Sequence, residues 1–253
     1  MPALKREPLA QRIALFIDFE NLVTRTGLTP ESFDLQPALD VLLEKGKVVF
    51  RRAYADWTRF AEATQRLHAK GVDLVDVPPS TRAGKNGADV RLVIDALELC
   101  YLREHIDTFV IASGDSDFCP LAYKLRENDR TVVGMAVKEA TSPLFVKACD
   151  EFIYLRSEGS RRRDGAPGGK ERERPKEKVI PTVAREAAAG ILAKATAPVN
   201  PSAIKAAIVR REPDFDERDH GFSSFSRLLE AMEKEGLLRR EQGLKGQWYV
   251  HPA

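Results

Sequence analysis

Phe109-Val-Ile-Ala-Ser-Gly-Asp-Ser-Asp-Phe118 decides the fold. An apolar run stops abruptly at Ser113-Gly114, and two aspartates, Asp115 and Asp117, follow before a predicted helix. Apolar run, turn, then helix is the pattern of a buried strand reaching its carboxyl end. In an open α/β sheet, ligands bind at that edge. Two carboxylates held close repel each other and must be paired, protonated or bridged by a cation. Hard divalent cations such as Mg²⁺ or Mn²⁺ suit clustered oxygen ligands.

Working outward, the same arrangement recurs near the start. Ile13-Ala-Leu-Phe-Ile17 is a short apolar strand that ends in Asp18-Phe-Glu-Asn21. A third acid, Asp89, stands where the Gly-containing loop Lys85-Asn-Gly-Ala becomes a long helix. Acids from three βα junctions can meet at one sheet edge, and that convergence outweighs any single motif.

Strands are expected at 13–17, 47–54, 72–77, 108–112, 131–137 and 151–155. Helices are expected near 34–45, 58–70, 89–105 and 118–128, with a short one opened by Thr141-Ser142-Pro143. Leu35, Leu39, Leu42 and Leu43 define the core face of the first. Val90, Val93, Ile94, Leu97 and Tyr101 define that of the long helix. Alternating strands and helices predict an α/β domain with a mostly parallel sheet covered on both faces. There is no G-x-G-x-x-G after the first strand and no Walker A sequence, so the dinucleotide and P-loop classes lack their fingerprints.

Charge divides the chain unevenly. Residues 1–155 carry 20 basic and 23 acidic side chains, 156–178 carry 9 and 5, and 179–253 carry 11 and 10. The segment 156–178 has no apolar side chain larger than alanine, which predicts a basic flexible linker between a domain at 1–155 and another at 179–253. In the second, helices near 182–195, 201–210 and 223–235 precede a hairpin of 237–241 and 247–250. Three helices and a hairpin predict a small winged helix-turn-helix. Phe222, Phe225, Leu228, Leu229 and Met232 read as its core. Alternation predicts that one of Trp248 and Tyr249 is buried and the other exposed, available to stack on a base.

Composition bounds the class: 43% hydrophobic and 31% charged residues, and no apolar run near the roughly 18 needed to span a membrane. The N-terminal stretch lacks a signal-peptide core. Cys100, Cys119 and Cys149 have no paired spacing and read as thiols of a cytoplasmic protein. Four scattered histidines suggest neither a zinc site nor a nucleophilic triad.

The quoted pieces together resemble a known family. Asp18-Phe-Glu-Asn21, Gly87-Ala-Asp-Val-Arg-Leu-Val-Ile-Asp-Ala-Leu97, Ser113-Gly-Asp-Ser-Asp-Phe118 and Cys149-Asp-Glu-Phe-Ile-Tyr-Leu155 resemble a NYN domain of the LabA-like type, within the PIN-like nuclease superfamily. Gly221-Phe-Ser-Ser-Phe-Ser-Arg-Leu-Leu-Glu230 and the terminal hairpin resemble a LOTUS (OST-HTH) domain. The resemblance implies a metal-dependent ribonuclease fold tethered to an RNA-binding module. It implies that Asp18, Asp89, Asp115 and Asp117 line a metal site, and that Asn21 orients a ligand, water or phosphate. Some PIN-like domains only bind.

Each residue also has a plainer reading. Asp115 or Asp117 can cap the following helix. Ser113 serves a phosphate or an ordinary turn; Ser142 faces the same edge or acts as an N-cap. Arg82 and Lys85 hold RNA backbone or are solvated loop charges. Arg161-Arg-Arg163 adds phosphate attraction diluted by local acids. Asp95, about 120° around the helix from Asp89, reads as polar support before ligand. Three functions compete: a Mg²⁺- or Mn²⁺-dependent ribonuclease, a regulator that recruits RNA or a protein partner, and a DNA-directed protein.

Overall fold

The computed structural model describes residues 11–24, 29–30, 33–78, 86–155, 178–243 and 246–253. The chain forms two compact units, Met1–Ala166 and Pro167–Ala253.

The first unit is built on six parallel strands: β1 Gln11–Asp18, β2 Gly46–Ala55, β3 Asp73–Asp76, β4 Thr108–Ala112, β5 Thr131–Val137 and β6 Glu151–Leu155. Their order is β3-β2-β1-β4-β5-β6. The α/β parallel-sheet expectation therefore holds. Residues 13–18 of β1 and all of β4 are buried, as a central parallel strand covered on both faces requires. Between them the strand order reverses direction. Ile17 lies in register with Ala112, so Asp18 and Ser113 emerge side by side at the carboxyl edge.

Helices α1 Phe19–Thr24, α2 Gln36–Lys45, α3 Ala61–Ala69, α4 Gly87–Leu102, α5 Cys119–Glu127 and α6 Pro143–Ala148 accompany the sheet. Helix α1 is absent from the sequence expectation, whose first helix begins near residue 34. Phe19 anchors it, with ring centroids 5.2–5.4 Å from those of Phe33, Trp57 and Phe60. The expected face of α4 is also corrected. The helix buries Leu92, Asp95, Ala96 and Cys100, whereas Val90, Ile94 and Tyr101 are 56%, 55% and 57% exposed. A buried charged residue shifts the inward stripe from the purely apolar one. Leu43 of α2 is likewise exposed.

The second unit contains α7 Thr182–Leu192, α8 Pro201–Val209, α9 Phe225–Lys234 and an antiparallel pair, β7 Arg239–Gln242 with β8 Trp248–His251. Its core includes Ala184, Ile204, Ile208, Phe222, Leu228 and Met232. Phe225 is only partly buried. Val199 bridges to Val250, tying the α7–α8 connection to the hairpin. Val250, not Trp248 or Tyr249, is the inward residue of β8. Trp248 is 42% exposed, with the Arg240 guanidinium 5.1 Å from its ring centre, and Tyr249 is half-buried. Trp248 shares the face of Val250 at period two, yet only Val250 is buried, so the predicted burial of one aromatic does not hold.

Gly134 on β5 shows how closely the first core is packed. A Cβ there would lie 2.3 Å from the Phe152 ring of β6 and 2.9 Å from Cys149 Sγ. Gly134→Ala is therefore expected to lower stability by about 1–3 kcal/mol, the usual cost of overpacking. Urea unfolding followed by circular dichroism checks this, with a lower midpoint and an unchanged slope expected.

Candidate functional site

Asp18 ends β1 and is 4% exposed. Its Oδ1 accepts the backbone N–H of Asn21 at 3.2 Å, and its Oδ2 accepts the Ser113 hydroxyl at 3.0 Å. Ser113 Oγ in turn accepts the N–H of Asp115 at 3.3 Å. Asn21 Oδ1 accepts the N–H of Gly114 at 3.3 Å. The residues after β1 and β4 are thus joined by side-chain and backbone bonds. The register of the two strands sets this meeting.

A third connection closes on the same turn. Gly114 O accepts the N–H of Ser142 at 2.9 Å. A Cβ on Gly114 would lie 2.3 Å from the carbonyl oxygen of Ala140, so only glycine admits the approach. Ser142 caps α6, its Oγ accepting the Leu144 N–H at 3.3 Å. The cap reading of Ser142 fits this geometry, and its backbone also borders the edge.

The acids are not equivalent. Burial raises the Asp18 carboxyl from its ordinary value of 3.8 to about 7. The charge of Asp89 adds to that rise, the bonds from Asn21 and Ser113 oppose it, and the charge of Asp115 raises it further. Asp89, in the first turn of α4, and Asp115 are therefore near enough to act on Asp18 through space. Asp115 also caps the short 3₁₀ turn Ser116–Phe118, accepting the Asp117 N–H at 3.1 Å. Asp117 is exposed, and no described bond joins its carboxylate to Asp18. The structure thus brings Asp18, Asn21, Asp89, Ser113 and Asp115 together and leaves Asp117 at the rim. Arg82, Lys85 and the Arg161–Arg163 cluster lie outside the described residues.

Among the described residues, no three acidic, imidazole or thiol side chains converge closely enough to enclose a metal ion on their own. The donor chemistry nevertheless suits one. Mg²⁺ is held by one or two carboxylates with several waters rather than by a closed protein cage. A buried carboxylate whose proton is retained by neighbouring negative charge is a group that a cation would relieve.

Sequence reasoning missed the bonds that hold α4 in place. Asp95 is buried. Its Oδ2 accepts Arg52 Nη1 and the Tyr54 hydroxyl, both at 2.9 Å, and its Oδ1 accepts Arg91 Nε at 2.9 Å. Burial by itself would raise the Asp95 carboxyl; these donors outweigh it and hold the group below its ordinary value. Asp95 is a polar support, and it fixes to β2 the helix that carries Asp89. The signal was present: Arg52 and Tyr54 share a face at period two, and Arg91 and Asp95 are an i,i+4 pair.

The raised Asp18 value has a thermodynamic consequence. The folded state holds this proton more tightly than the unfolded chain does, so the group's contribution to stability falls as pH rises from about 3.8 to about 7. It is level above that. In EDTA, Asp18→Asn is expected to gain stability over the parent across this window, by on the order of 4 kcal/mol at pH 8. Thermal and urea unfolding of both proteins from pH 4 to pH 8 measures the difference; a constant difference would contradict the assignment.

Comparison with known proteins follows the same division. The NYN domain family model matches residues 12–156, and the OST-HTH/LOTUS domain model matches residues 176–246. An uncharacterized protein of Methanocaldococcus jannaschii, MJ0482, is 27% identical over 147 residues, covering 58% of this chain and 56% of its own length. The crystal structure of a Vibrio parahaemolyticus protein of unknown function, VPA0982, shares the fold with a TM-score of 0.52 at 22% identity, over 60% of this chain and 97% of that one. Buried Asp18 at the β1–β4 switch, the Ser113-Gly-Asp turn beside it and the family match lead to one assignment: the chain belongs to the NYN family, within the PIN-like nuclease superfamily, and carries a C-terminal OST-HTH/LOTUS domain.

Proposed function

We propose that this protein is a Mg²⁺- or Mn²⁺-dependent ribonuclease whose C-terminal domain, a winged helix, anchors RNA. The observation that carries the proposal is Asp18, a buried carboxylate raised to about 7 with Asp89 and Asp115 acting on it at the switch between β1 and β4. Such a carboxylate gains most from a bound cation. The family membership supports nuclease chemistry, and the LOTUS match supports RNA as the ligand.

In this reading Asp18, Asp89, Asp115 and Asp117 are the residues that would hold the cation. When bound, the cation supplies positive charge for the phosphate and promotes ionisation of an attacking water. The chain's own groups position the substrate. Asn21 has its amide oxygen engaged by Gly114, so its NH₂ is the group suited to donate to a phosphate oxygen. Ser113 keeps the Asp18 carboxylate in one orientation. Ser142 holds the turn against which the substrate lies. Arg82 and Lys85 add phosphate attraction without sequence preference. Hydrolysis adds water across the phosphodiester and breaks one P–O bond.

In the second domain, Trp248 offers an exposed aromatic face. Arg240 lies over its ring and is held by Glu233, with Nε to Oε2 at 2.9 Å. An oriented indole is a suitable platform for a base. Among the described residues no helix is long and apolar enough to cross a membrane. The buried free thiols Cys100 and Cys149 suit a reducing compartment, and we place the protein in the cytoplasm.

The test is cleavage of labelled single-stranded and structured RNA in Mn²⁺, Mg²⁺ or EDTA, with a DNA arm of the same sequence. Metal-dependent cutting of RNA is expected, with Asp115→Asn slowed at least about 100-fold while remaining folded. RNA bound but intact under every condition would favour a binding regulator, and preferential cutting of DNA would redirect the assignment. Trp248→Ala is expected to weaken RNA binding by about 1–3 kcal/mol, measured by fluorescence anisotropy, without loss of folding.

A further inference from the structure

Helix α4 turns an apolar stripe outward. Val90, Ile94, Leu97 and Tyr101 fall within about 60° of one another at 100° per residue. Val90, Ile94 and Tyr101 are each more than half exposed, and Leu97 is half-buried. The four positions are spaced i, i+4, i+7 and i+11, the pattern of a helix seam. Leu97 also packs in part against the core, but Val90, Ile94 and Tyr101 lie outside it, because the helix's inward face is taken by Leu92, Asp95, Ala96 and Cys100.

The stripe is symmetric about its own midpoint. In antiparallel pairing with an identical helix, Val90 faces Tyr101 and Ile94 faces Leu97, each contact occurring twice. The flanking charges match the same arrangement. Arg91 and Glu98, both exposed, lie on one flank of the stripe. In a two-fold antiparallel pair that flank meets its own copy, so Arg91 of one chain falls beside Glu98 of the other, within about 3 Å along the axis. Arg91 gives Nε to Asp95, and its guanidinium has further donors for a partner carboxylate.

We infer that α4 is a homodimer interface, with a second copy of this chain seated antiparallel on Val90, Ile94, Leu97 and Tyr101 and registered by reciprocal Arg91–Glu98 pairs. One helix face is smaller than the roughly 800 Å² per partner of a standard interface, so association is weak and concentration-dependent. The pairing sets the two Asp89 residues about 20 Å apart along the helix direction. It does not depend on the nuclease reading.

Sedimentation velocity of the full chain, from low micromolar to a few hundred micromolar, tests it. A monomer–dimer equilibrium is expected. Ile94→Glu should raise the dissociation constant by about tenfold or more, and Glu98→Arg should raise it by a smaller factor that shrinks in high salt. Both positions are exposed, and circular dichroism verifies that the variants fold. A chain that stays monomeric throughout, or a dimer unmoved by Ile94→Glu, overturns the proposal. A dimer lost in Ile94→Glu but unmoved by Glu98→Arg at low salt overturns the antiparallel register.

Discussion

The pairing of β1 with β4 is the constraint on which the rest depends. These strands are neighbours in the sheet although β2, β3 and four helices separate them in sequence. Their register makes Ile17 and Ala112 partners. The next residue on each strand therefore meets the other, and Ser113 donates to Asp18. The meeting of Asp18, Asn21, Ser113 and Asp115 follows from that adjacency. A one-residue slip would turn Asp18 or Ser113 to the opposite face and separate them.

Asp18 shows a conflict between stability and chemistry. A buried carboxylate near two other acids is a poor choice for folding, and an amide would sit there at lower cost. The two hydrogen bonds it receives offset only part of the burial and repulsion. Asp95 is the contrasting case within the same domain. It too is buried, but two guanidinium groups and a phenol surround it, and its charge is stabilised. Two buried aspartates thus differ: one secures a helix and keeps its charge, and the other holds its proton more tightly than an exposed carboxyl does.

Much of this was legible in the chain. Apolar runs ending in Asp18 and in Ser113-Gly-Asp115 identified both central strands and the edge between them, because a strand buried on both faces writes a continuous apolar signal. The α4 face was misread because helical periodicity counts apolar residues. It cannot know that Asp95 meets Arg52 and Tyr54 from a strand about forty positions earlier. Helix α1 escaped notice since its single turn is held by Phe19 in a distant aromatic cluster, not by local pattern. The different standing of Asp117 and Asp115 depends on turn geometry, which two aspartates spaced two apart do not reveal.

The closure of the β5–α6 connection onto Gly114 is made by backbone atoms: the Ser142 N–H, the Gly114 carbonyl, and the main chain at Ala140. Main-chain contacts are blind to side-chain identity but sensitive to chain length. Residues 138–141 could therefore vary widely in type without disturbing the acidic edge. One added or deleted residue there would displace the turn that carries Asp115. That connection is free to change its chemistry, and with it what it presents at the sheet's carboxyl edge, while its length stays fixed.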